Sequence, residues 1–192
     1  YGITHTIPFK LVDQKLFDNL IESYVTKCRV CGKGLNHYLS LGLSPLANNL
    51  NKEKEASNDL YPLDLNFCKE CANSQLSVVV PPKKMFDNYV YLSSTSQQFK
   101  DHFVDIAKEL KATEKLNNSS LIVDVGSNDG IFLEPLRKLG INAIGVEPAK
   151  NIAKIANSKE LLTLPEYFTN KTVNKIIDKY GKADFVTAFN VF

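Results

Sequence analysis

The stretch VDVGSNDG, from Val123 to Gly130, decides the fold of the second half of the chain, because it joins an apolar run to a helix-like segment. Strand-like and helix-like patterns alternate around it. In order they are strand LIVDVG, helix GIFLEPLRKLG, strand NAIGVE, helix AKNIAKIAN, short strand LLTL, helix NKTVNKIIDKYG and strand ADFVTAF. Apolar strands that alternate with helices predict a parallel sheet covered by helices. We therefore predict an α/β fold here, the first half of a doubly wound sheet.

The loop within this stretch indicates what the sheet binds, since ligands of doubly wound folds lie beyond the carboxyl ends of the strands. A pyrophosphate loop needs a glycine near Asn128, and it attracts phosphate to the positive end of the next helix. Asp129 instead places a carboxylate there. The carboxylate disfavours phosphate and favours a ligand with an ammonium or sulfonium charge, such as S-adenosylmethionine. The alternative is that Asp129 only caps the next helix.

Glu147 ends the second strand of the alternating region, 21 positions after Gly126. An acidic residue about 20 positions on is typical of a carboxylate that accepts from both hydroxyls of a ribose. S-adenosylmethionine and NAD both carry that diol, so Glu147 does not separate them. Asn190 follows the fourth strand and is predicted to lie beside the first loop, or to cap its own turn. The predicted cofactor-binding residues are Asp124, Gly126, Ser127, Asn128, Asp129, Gly130, Glu147, Pro148 and Asn190.

Four cysteines, Cys28, Cys31, Cys68 and Cys71, form two C-x2-C pairs separated by 36 residues. Each pair aims two thiolates at one tetrahedral ion, so a structural zinc is the favoured interpretation. Redox-active pairs and an iron site are the alternatives. Four protein ligands leave no open position for an activated water, so the metal is not expected to take part in catalysis.

The composition of the chain argues against nucleic acid and membranes as binding partners. The 192 residues carry a formal charge of +2, with 23 basic and 21 acidic residues, which gives no broad electrostatic surface for nucleic acid. No run approaches the roughly 20 apolar residues that cross a bilayer, and no targeting segment is visible, so we expect a cytoplasmic protein without membrane contact. The chain starts without methionine and stops inside a strand-like run, so we expect a fragment.

Several motifs occur together and in register from Cys28 to Phe192, namely the cysteine pairs, GLSPLANNL, YPLDLNFCKECANSQL, MFDNYVYLSSTS, VDVGSNDGIFLEPL, GVEPAKNIAKIA and ADFVTAFNVF. Together they resemble the sugar C-methyltransferases that act on nucleotide-linked keto-deoxysugars. The resemblance implies a small β-rich zinc-binding domain followed by a class I, Rossmann-like S-adenosylmethionine domain. The predicted segments are 1–27, an extension with a helix; 28–82, the zinc-binding domain; 83–118, a linker and helix; and 119–192, part of the methyltransferase domain.

The resemblance also implies a reaction, in which a proton is removed beside a ketone and the enolate attacks the methyl group of S-adenosylmethionine. Tyr89 and Tyr91 are the candidate catalytic residues, as hydroxyls that stabilise the enolate oxygen. Their alternative is a half-buried strand with a two-residue period. We expect the main base beyond Phe192, so this chain alone is predicted to be inactive. The alternative functions are a zinc-containing methyltransferase for RNA or another small molecule, and an NAD-linked sugar oxidoreductase.

Overall fold

A computed structural model describes residues 24–47, 59–87 and 89–191 of the chain. Contacts between residues divide the chain into two compact units, Tyr1–Met85 and Phe86–Phe192. Most of the predicted extension 1–27, where a helix is expected over QKLFDNLIESYV, lies outside the described residues, and so does most of the polar stretch NKEKEASND, which is predicted to be a loop. The domain boundaries given above remain predictions.

The first unit contains a three-stranded antiparallel sheet in the order β1-β2-β3. Its elements are β1 (Asn36–Pro45), β2 (Leu60–Phe67), β3 (Ser74–Leu76) and the short helix α1 (Pro82–Phe86), which runs one residue past the unit boundary. Strand β3 covers only the start of the run QLSVVVP, whose apolar pattern predicts a longer strand. The N–H of Ser77 still donates to the carbonyl of Asp64 on β2 at 3.0 Å, its carbonyl accepts from the N–H of Val25 at 2.8 Å, and Val78 forms a bridge with Tyr24.

The second unit is built on a parallel sheet of four strands in the order β6-β5-β4-β7. The strands are β4 (Leu121–Val125), β5 (Asn142–Val146), β6 (Thr163–Leu164) and β7 (Phe185–Ala188). The helices are α2 (Gln97–Thr113), α3 (Leu133–Lys138), α4 (Lys150–Ser158) and α5 (Asn170–Tyr180). The predicted α/β fold, with a Rossmann-like sheet, is therefore confirmed.

The central strand β4 is buried along its whole length because it pairs with β5 on one side and β7 on the other. Successive side chains point to opposite faces of a sheet. Ile122 accordingly joins the cluster that contains Phe103 of α2 and Phe132, whereas Val123 joins the cluster on the other face that contains Ile176 of α5. Helices therefore cover both faces, as the apolar strands predict.

Helix α3 is shorter than the segment GIFLEPLRKLG, whose first and last glycines both have left-handed backbone angles. Gly130 has φ +84°, and a Cβ there would lie 2.5 Å from Cδ1 of Leu161. Gly140 has φ +74° and follows the last turn of the helix. Ile141 then donates its N–H back to the carbonyl of Leu136 at 3.0 Å, which closes the helix end. In the described ranges, no helix is both long enough and apolar enough to cross a membrane.

Candidate functional site

The four predicted metal ligands meet at one point in the first unit. One Sγ atom from each cysteine lies within 4.8 Å of the other three. The Sγ atoms of Cys28 and Cys71 are 3.5 Å apart, and those of Cys31 and Cys68 are also 3.5 Å apart. Zinc bonded to four thiolates at about 2.3 Å places neighbouring sulfurs about 3.8 Å apart, so the cluster fits one tetrahedral ion.

Two similar turns carry the cysteine pairs. The N–H of Gly32 donates to the carbonyl of Cys28 at 2.8 Å, and the N–H of Cys28 donates to the carbonyl of Lys33 at 2.8 Å. In the second turn the N–H of Cys68 donates to the carbonyl of Asn73 at 2.8 Å. The residue after each pair has a left-handed φ, +72° at Gly32 and +58° at Ala72. The backbone thus bends each pair toward the common centre.

Gln75, from β3, ties the two turns together although nothing in its spacing marks it. Its Oε1 accepts from the backbone N–H of Arg29 at 2.9 Å and from Nδ2 of Asn73 at 3.1 Å. Its Nε2 donates to the carbonyl of Lys27 at 3.3 Å. Asn73 Nδ2 also lies 3.7 Å from the Sγ of Cys28. One buried amide therefore orients both halves of the thiol cluster, the role of an outer partner that holds metal ligands in place.

The thiols differ in acidity because their surroundings differ. The pKa of Cys28 is lowered to about 6, first by the backbone N–H of Cys31. At Cys71 the N–H of Asn73 lowers the pKa, but desolvation and the neighbouring thiols outweigh it and raise the pKa to about 12. Thiols this close cannot all ionise without a cation between them, which is the situation that a bound divalent metal relieves.

In the second unit the loop after β4 lies at the carboxyl edge of the sheet. The N–H of Gly126 donates to the carbonyl of Val146 at 2.8 Å, so the loop turns over the end of β5. A Cβ on Gly126 would lie 2.6 Å from Cγ2 of Val191. Asn190, exposed and with φ +55°, immediately precedes Val191. The residues after β7 therefore do lie beside the first loop.

Glu147 faces the same loop from the end of β5. Its Oε2 accepts from the backbone N–H of Asn128 at 2.9 Å, and its Oε1 accepts from the N–H of Ala149 at 2.9 Å. Burial raises the pKa of this carboxyl. A carboxylate has about four acceptor positions, so two stay available for a diol. The half-buried Pro148 follows it and starts the turn into α4.

Asp124 is a second carboxylate near this edge, in the buried strand β4. Its Oδ1 accepts from the hydroxyl of Thr187 on β7 at 2.7 Å. Desolvation raises the pKa of Asp124 to about 7, the Thr187 hydrogen bond opposes this rise, and the charge of Glu147 adds to it. The carboxyl ends of β4 and β5 thus hold two carboxyl groups whose pKa values are both raised by burial.

The side chains of Asn128 and Asp129 bond mainly to the protein itself. Asp129 is 1% exposed and forms an ion pair with Lys159 at 3.3 Å, while Ser94 donates its hydroxyl to the same carboxylate. The ion pair means that its charge is already balanced inside the protein. Asp129 does not cap α3, which begins after Phe132 and has no side-chain cap. In the described part of the chain, Ser127 Oγ and Asp129 Oδ1 are buried acceptors without a hydrogen-bond partner.

The two candidate tyrosines lie just before α2, in a segment that forms no strand. Tyr89 is half-buried, and its carbonyl accepts from Nδ2 of Asn151 at 2.7 Å. Tyr91 is exposed and lines a groove of about 440 Å³ together with Ser96, Gln98, Phe99 and His102. The structure therefore places Tyr91, but not the ring of Tyr89, on this groove.

Sequence reasoning missed Lys159, Thr187 and Gln75. Lys159 pairs with a residue 30 positions away, Thr187 with one 63 positions away, and Gln75 with one 46 positions away. None of these partners is related by a helical or strand period, so no local signal marks them. Thr187 alone had an indirect signal, because its strand ends just before Asn190, which was predicted to lie beside the first loop.

A thiol cluster suited to one tetrahedral ion, followed by a doubly wound sheet with an acidic residue at the end of its second strand, defines a Rossmann-like protein with a metal-binding domain. Residues 28–86 match the family described as "Putative zinc binding domain", and residues 97–192 match the family described as "Methyltransferase domain". The chain belongs to this methyltransferase family.

The chain is similar to the C-methyltransferase NovU of Streptomyces niveus, with 32% identity over 165 residues, which is 84% of this chain and 39% of that protein. It therefore spans 39% of the length of this relative. Among solved structures, magnesium protoporphyrin IX methyltransferase from Synechocystis PCC 6803 with bound SAM is 19% identical at a TM-score of 0.37, covering 48% of this chain and 44% of that one. A SAM-dependent methyltransferase from Thiobacillus denitrificans is 16% identical at a TM-score of 0.33, covering 45% and 36%.

Proposed function

We propose that this chain forms the zinc-binding part and part of the cofactor-binding domain of an S-adenosylmethionine-dependent C-methyltransferase for a nucleotide-linked keto-deoxysugar. The observation that carries the proposal is the position of Glu147, whose carboxylate closes on the loop through the N–H of Asn128 at 2.9 Å. An acid at this strand end is suited to a ribose diol. The relative NovU is a C-methyltransferase, which supports transfer to carbon.

One feature of the loop supports a nucleoside cofactor. Two buried oxygens of the loop, Ser127 Oγ and Asp129 Oδ1, have no partner within the described residues and are acceptors for a ligand's amine or hydroxyl. The proposed cofactor-binding residues remain Asp124, Gly126, Ser127, Asn128, Asp129, Gly130, Glu147, Pro148 and Asn190.

S-adenosylmethionine supplies an electrophilic methyl group when bound. The acceptor carbon must then carry negative charge, which requires removal of a proton and a donor to the enolate oxygen. Tyr91 is the better placed of the two candidate donors, because it lines the groove, whereas Tyr89 is half-buried and its carbonyl bonds to Asn151. The zinc centre holds the first unit in shape and takes no part in methyl transfer.

Binding calorimetry on the 192-residue chain tests the cofactor. S-adenosylhomocysteine is expected to bind, and NADH is not. Glu147→Gln is expected to weaken S-adenosylhomocysteine binding by about 10- to 100-fold, because a charge-assisted hydrogen bond to the ribose becomes a neutral one. Glu160→Gln is the matched control, since Glu160 is 89% exposed and pairs only with Arg137 at 3.5 Å among the ion pairs of the described residues.

Tighter binding of NADH than of S-adenosylhomocysteine would contradict the cofactor assignment. The acceptor is tested by saturation-transfer NMR with a keto-deoxysugar nucleotide on the chain loaded with S-adenosylhomocysteine. Signal transfer to the sugar is expected in the unaltered chain and is expected to weaken in Tyr91→Phe. Equal signal transfer to a short RNA oligonucleotide would favour RNA as the alternative acceptor.

A further inference from the structure

Residues 89–95, called the strap below, run along the loop after β4 and are held there by side chains from other elements. Nδ2 of Asn128 donates to the carbonyl of Tyr91 at 3.1 Å, and the N–H of Ser93 donates to Oδ1 of Asn128 at 2.9 Å. Ser94 donates its hydroxyl to Asp129. Two adjacent loop residues therefore provide three of the strap's tethers.

The same loop residue also contacts the proposed ribose-binding acid. The backbone N–H of Asn128 donates to Glu147, while its side chain bonds to the strap on both its donor and its acceptor atoms. One residue thus connects Glu147 to Tyr91 through hydrogen bonds alone. A ligand that binds at Glu147 and steadies the Asn128 backbone would therefore also steady the side chain that holds the strap.

The backbone of Asn128 suits this double role. Its φ is +49°, in the left-handed region that asparagine and glycine tolerate better than other residues. The side chain is buried at 8% exposure, so water competes little for its two strap hydrogen bonds. Asp129 is anchored independently through Lys159, whose Nζ lies 3.2 Å from the carbonyl oxygen of Asp129.

We propose that Asn128 and Asp129 are positioning residues that fasten the strap to the cofactor loop, so that an occupied cofactor site fixes Tyr91 in the groove. The inference rests on the proposed function for the identity of the cofactor. The proposal implies an order of binding, in which the cofactor binds first and the acceptor enters the groove second. Asn128 and Asp129 act through Tyr91 and need not touch the acceptor.

Hydrogen exchange of the 192-residue chain, followed by mass spectrometry on peptides that cover residues 89–95, tests the tethers. Asn128→Gly removes both side-chain bonds to the strap, together with the bond that Oδ1 accepts from the N–H of Asp129 at 2.9 Å, while it keeps the backbone N–H and tolerates the positive φ. Without ligand, this variant is expected to speed exchange in the strap about tenfold. Asn128→Asp keeps the acceptor for the N–H of Ser93, so its rate of strap exchange is expected to lie between those of the unaltered chain and Asn128→Gly. Exchange that stays unchanged in Asn128→Gly would overturn the proposal.

Addition of S-adenosylhomocysteine tests the coupling. Ligand is expected to slow strap exchange in the unaltered chain and to do so much less in Asn128→Gly. Because coupling is reciprocal, Asn128→Gly must weaken ligand binding by the same factor by which it reduces this protection. Equal protection in both chains would overturn the coupling and leave the cofactor site intact. Absence of any ligand binding to the unaltered chain would overturn the proposed function and the coupling together.

Asn142→Ala is the matched control for these measurements. Asn142 lies at the opposite end of β5, and its Nδ2 donates to the carbonyl of Asn118 at 2.7 Å. The variant therefore loses a side-chain hydrogen bond of similar length at a place away from the strap. It is expected to leave strap exchange and ligand affinity within twofold of the unaltered chain. A change as large as that of Asn128→Gly would mean that general destabilisation explains the result, which would also overturn the proposal.

Discussion

Ala72 occupies a backbone conformation that favours glycine. Its φ of +58° matches the +72° of Gly32, which holds the corresponding place after the first cysteine pair. A left-handed φ costs an L-residue about 1–2 kcal/mol, whereas glycine loses about 0.5–1 kcal/mol more backbone entropy on folding. The turn after Cys71 is therefore strained at Ala72, whereas the turn after Cys31 is not strained at Gly32.

Exchange of the two residue types should shift stability in opposite directions. Ala72→Gly is expected to raise the free energy of unfolding of the zinc-loaded chain by about 0.5–1 kcal/mol, and Gly32→Ala to lower it by a similar amount. Gly34→Ala is the control, because Gly34 has no left-handed φ and open space around its Cβ position. Urea unfolding measures all three. A destabilised Ala72→Gly would contradict the strain.

Asp124 makes stability depend on pH. Its folded-state pKa of about 7 exceeds the ordinary pKa of 3.8 for an aspartate, so the folded protein holds this proton more tightly than the unfolded chain does. The resulting stabilisation is complete below about pH 4 and is lost as the pH rises through about 7. Asp124→Asn keeps the acceptor for Thr187 and stays neutral. Its free energy of unfolding, relative to the unaltered chain, should therefore rise with pH by on the order of 3 kcal/mol, measured by urea unfolding at pH 4 and pH 8. Parallel pH profiles for the two chains would show that Asp124 is not the group responsible.

At the scale of elements, the strands and helices of the second unit follow from local patterns, but their ends do not. Helix α3 begins later than its apolar pattern predicts, and a Cβ on Gly130 at the start of that pattern would meet Leu161, a residue 31 positions on. Strand β3 ends at Leu76, and Val78 beyond it forms a bridge with Tyr24. Element ends depend on such distant contacts, which a window of neighbouring residues does not contain.

The contact between β5 and the loop after β4 gives a prediction at this scale. A Cβ on Gly145 would lie 2.8 Å from Cδ1 of Leu133 and 2.9 Å from Cβ of Ser127. Gly145→Ala is therefore expected to lower the free energy of unfolding by about 1–3 kcal/mol through overpacking. The double variant Gly145→Ala with Ser127→Gly should lose less than the sum of the single variants. Additive losses in urea unfolding would mean that the two positions are not in contact.

At the scale of the whole molecule, the first unit has little core of its own. Its cluster of buried apolar residues contains Tyr61 and Val78 in the described part of the chain, whereas Leu39, Leu41 and Leu43 on β1 are exposed. Small domains of this kind depend on a metal for folding free energy. The second unit has larger clusters on both faces of its sheet.

Removal of the metal should therefore affect the two units unequally. Chelation of zinc is expected to abolish slow hydrogen exchange in β1 and β2 and to leave β4 and β5 protected. Metal analysis of the purified chain should give one zinc per chain, and Cys68→Ser should lower that value. Loss of protection in β4 on chelation would show that the second unit also requires the metal.

The sequence by itself determined the α/β class, the parallel sheet, the pairing of four cysteines at one site and the place of Glu147 at a strand end. These features depend on spacing and period, which are local properties of the chain. Only the tertiary structure decided how the loop's side chains are used. Asn128 and Asp129 have the residue types expected of ligand-binding groups, yet they bond to the strap and to Lys159.

The interpretation of VDVGSNDG from charge alone leaves out the residues that surround the loop in the fold. Asp129 is a buried carboxylate whose charge Lys159 balances, and Ser127 is a buried hydroxyl without a partner among the described residues. The physical reason is that hydrogen-bond partners in this site come from segments 30 to 63 residues apart, brought together by the packing of the sheet.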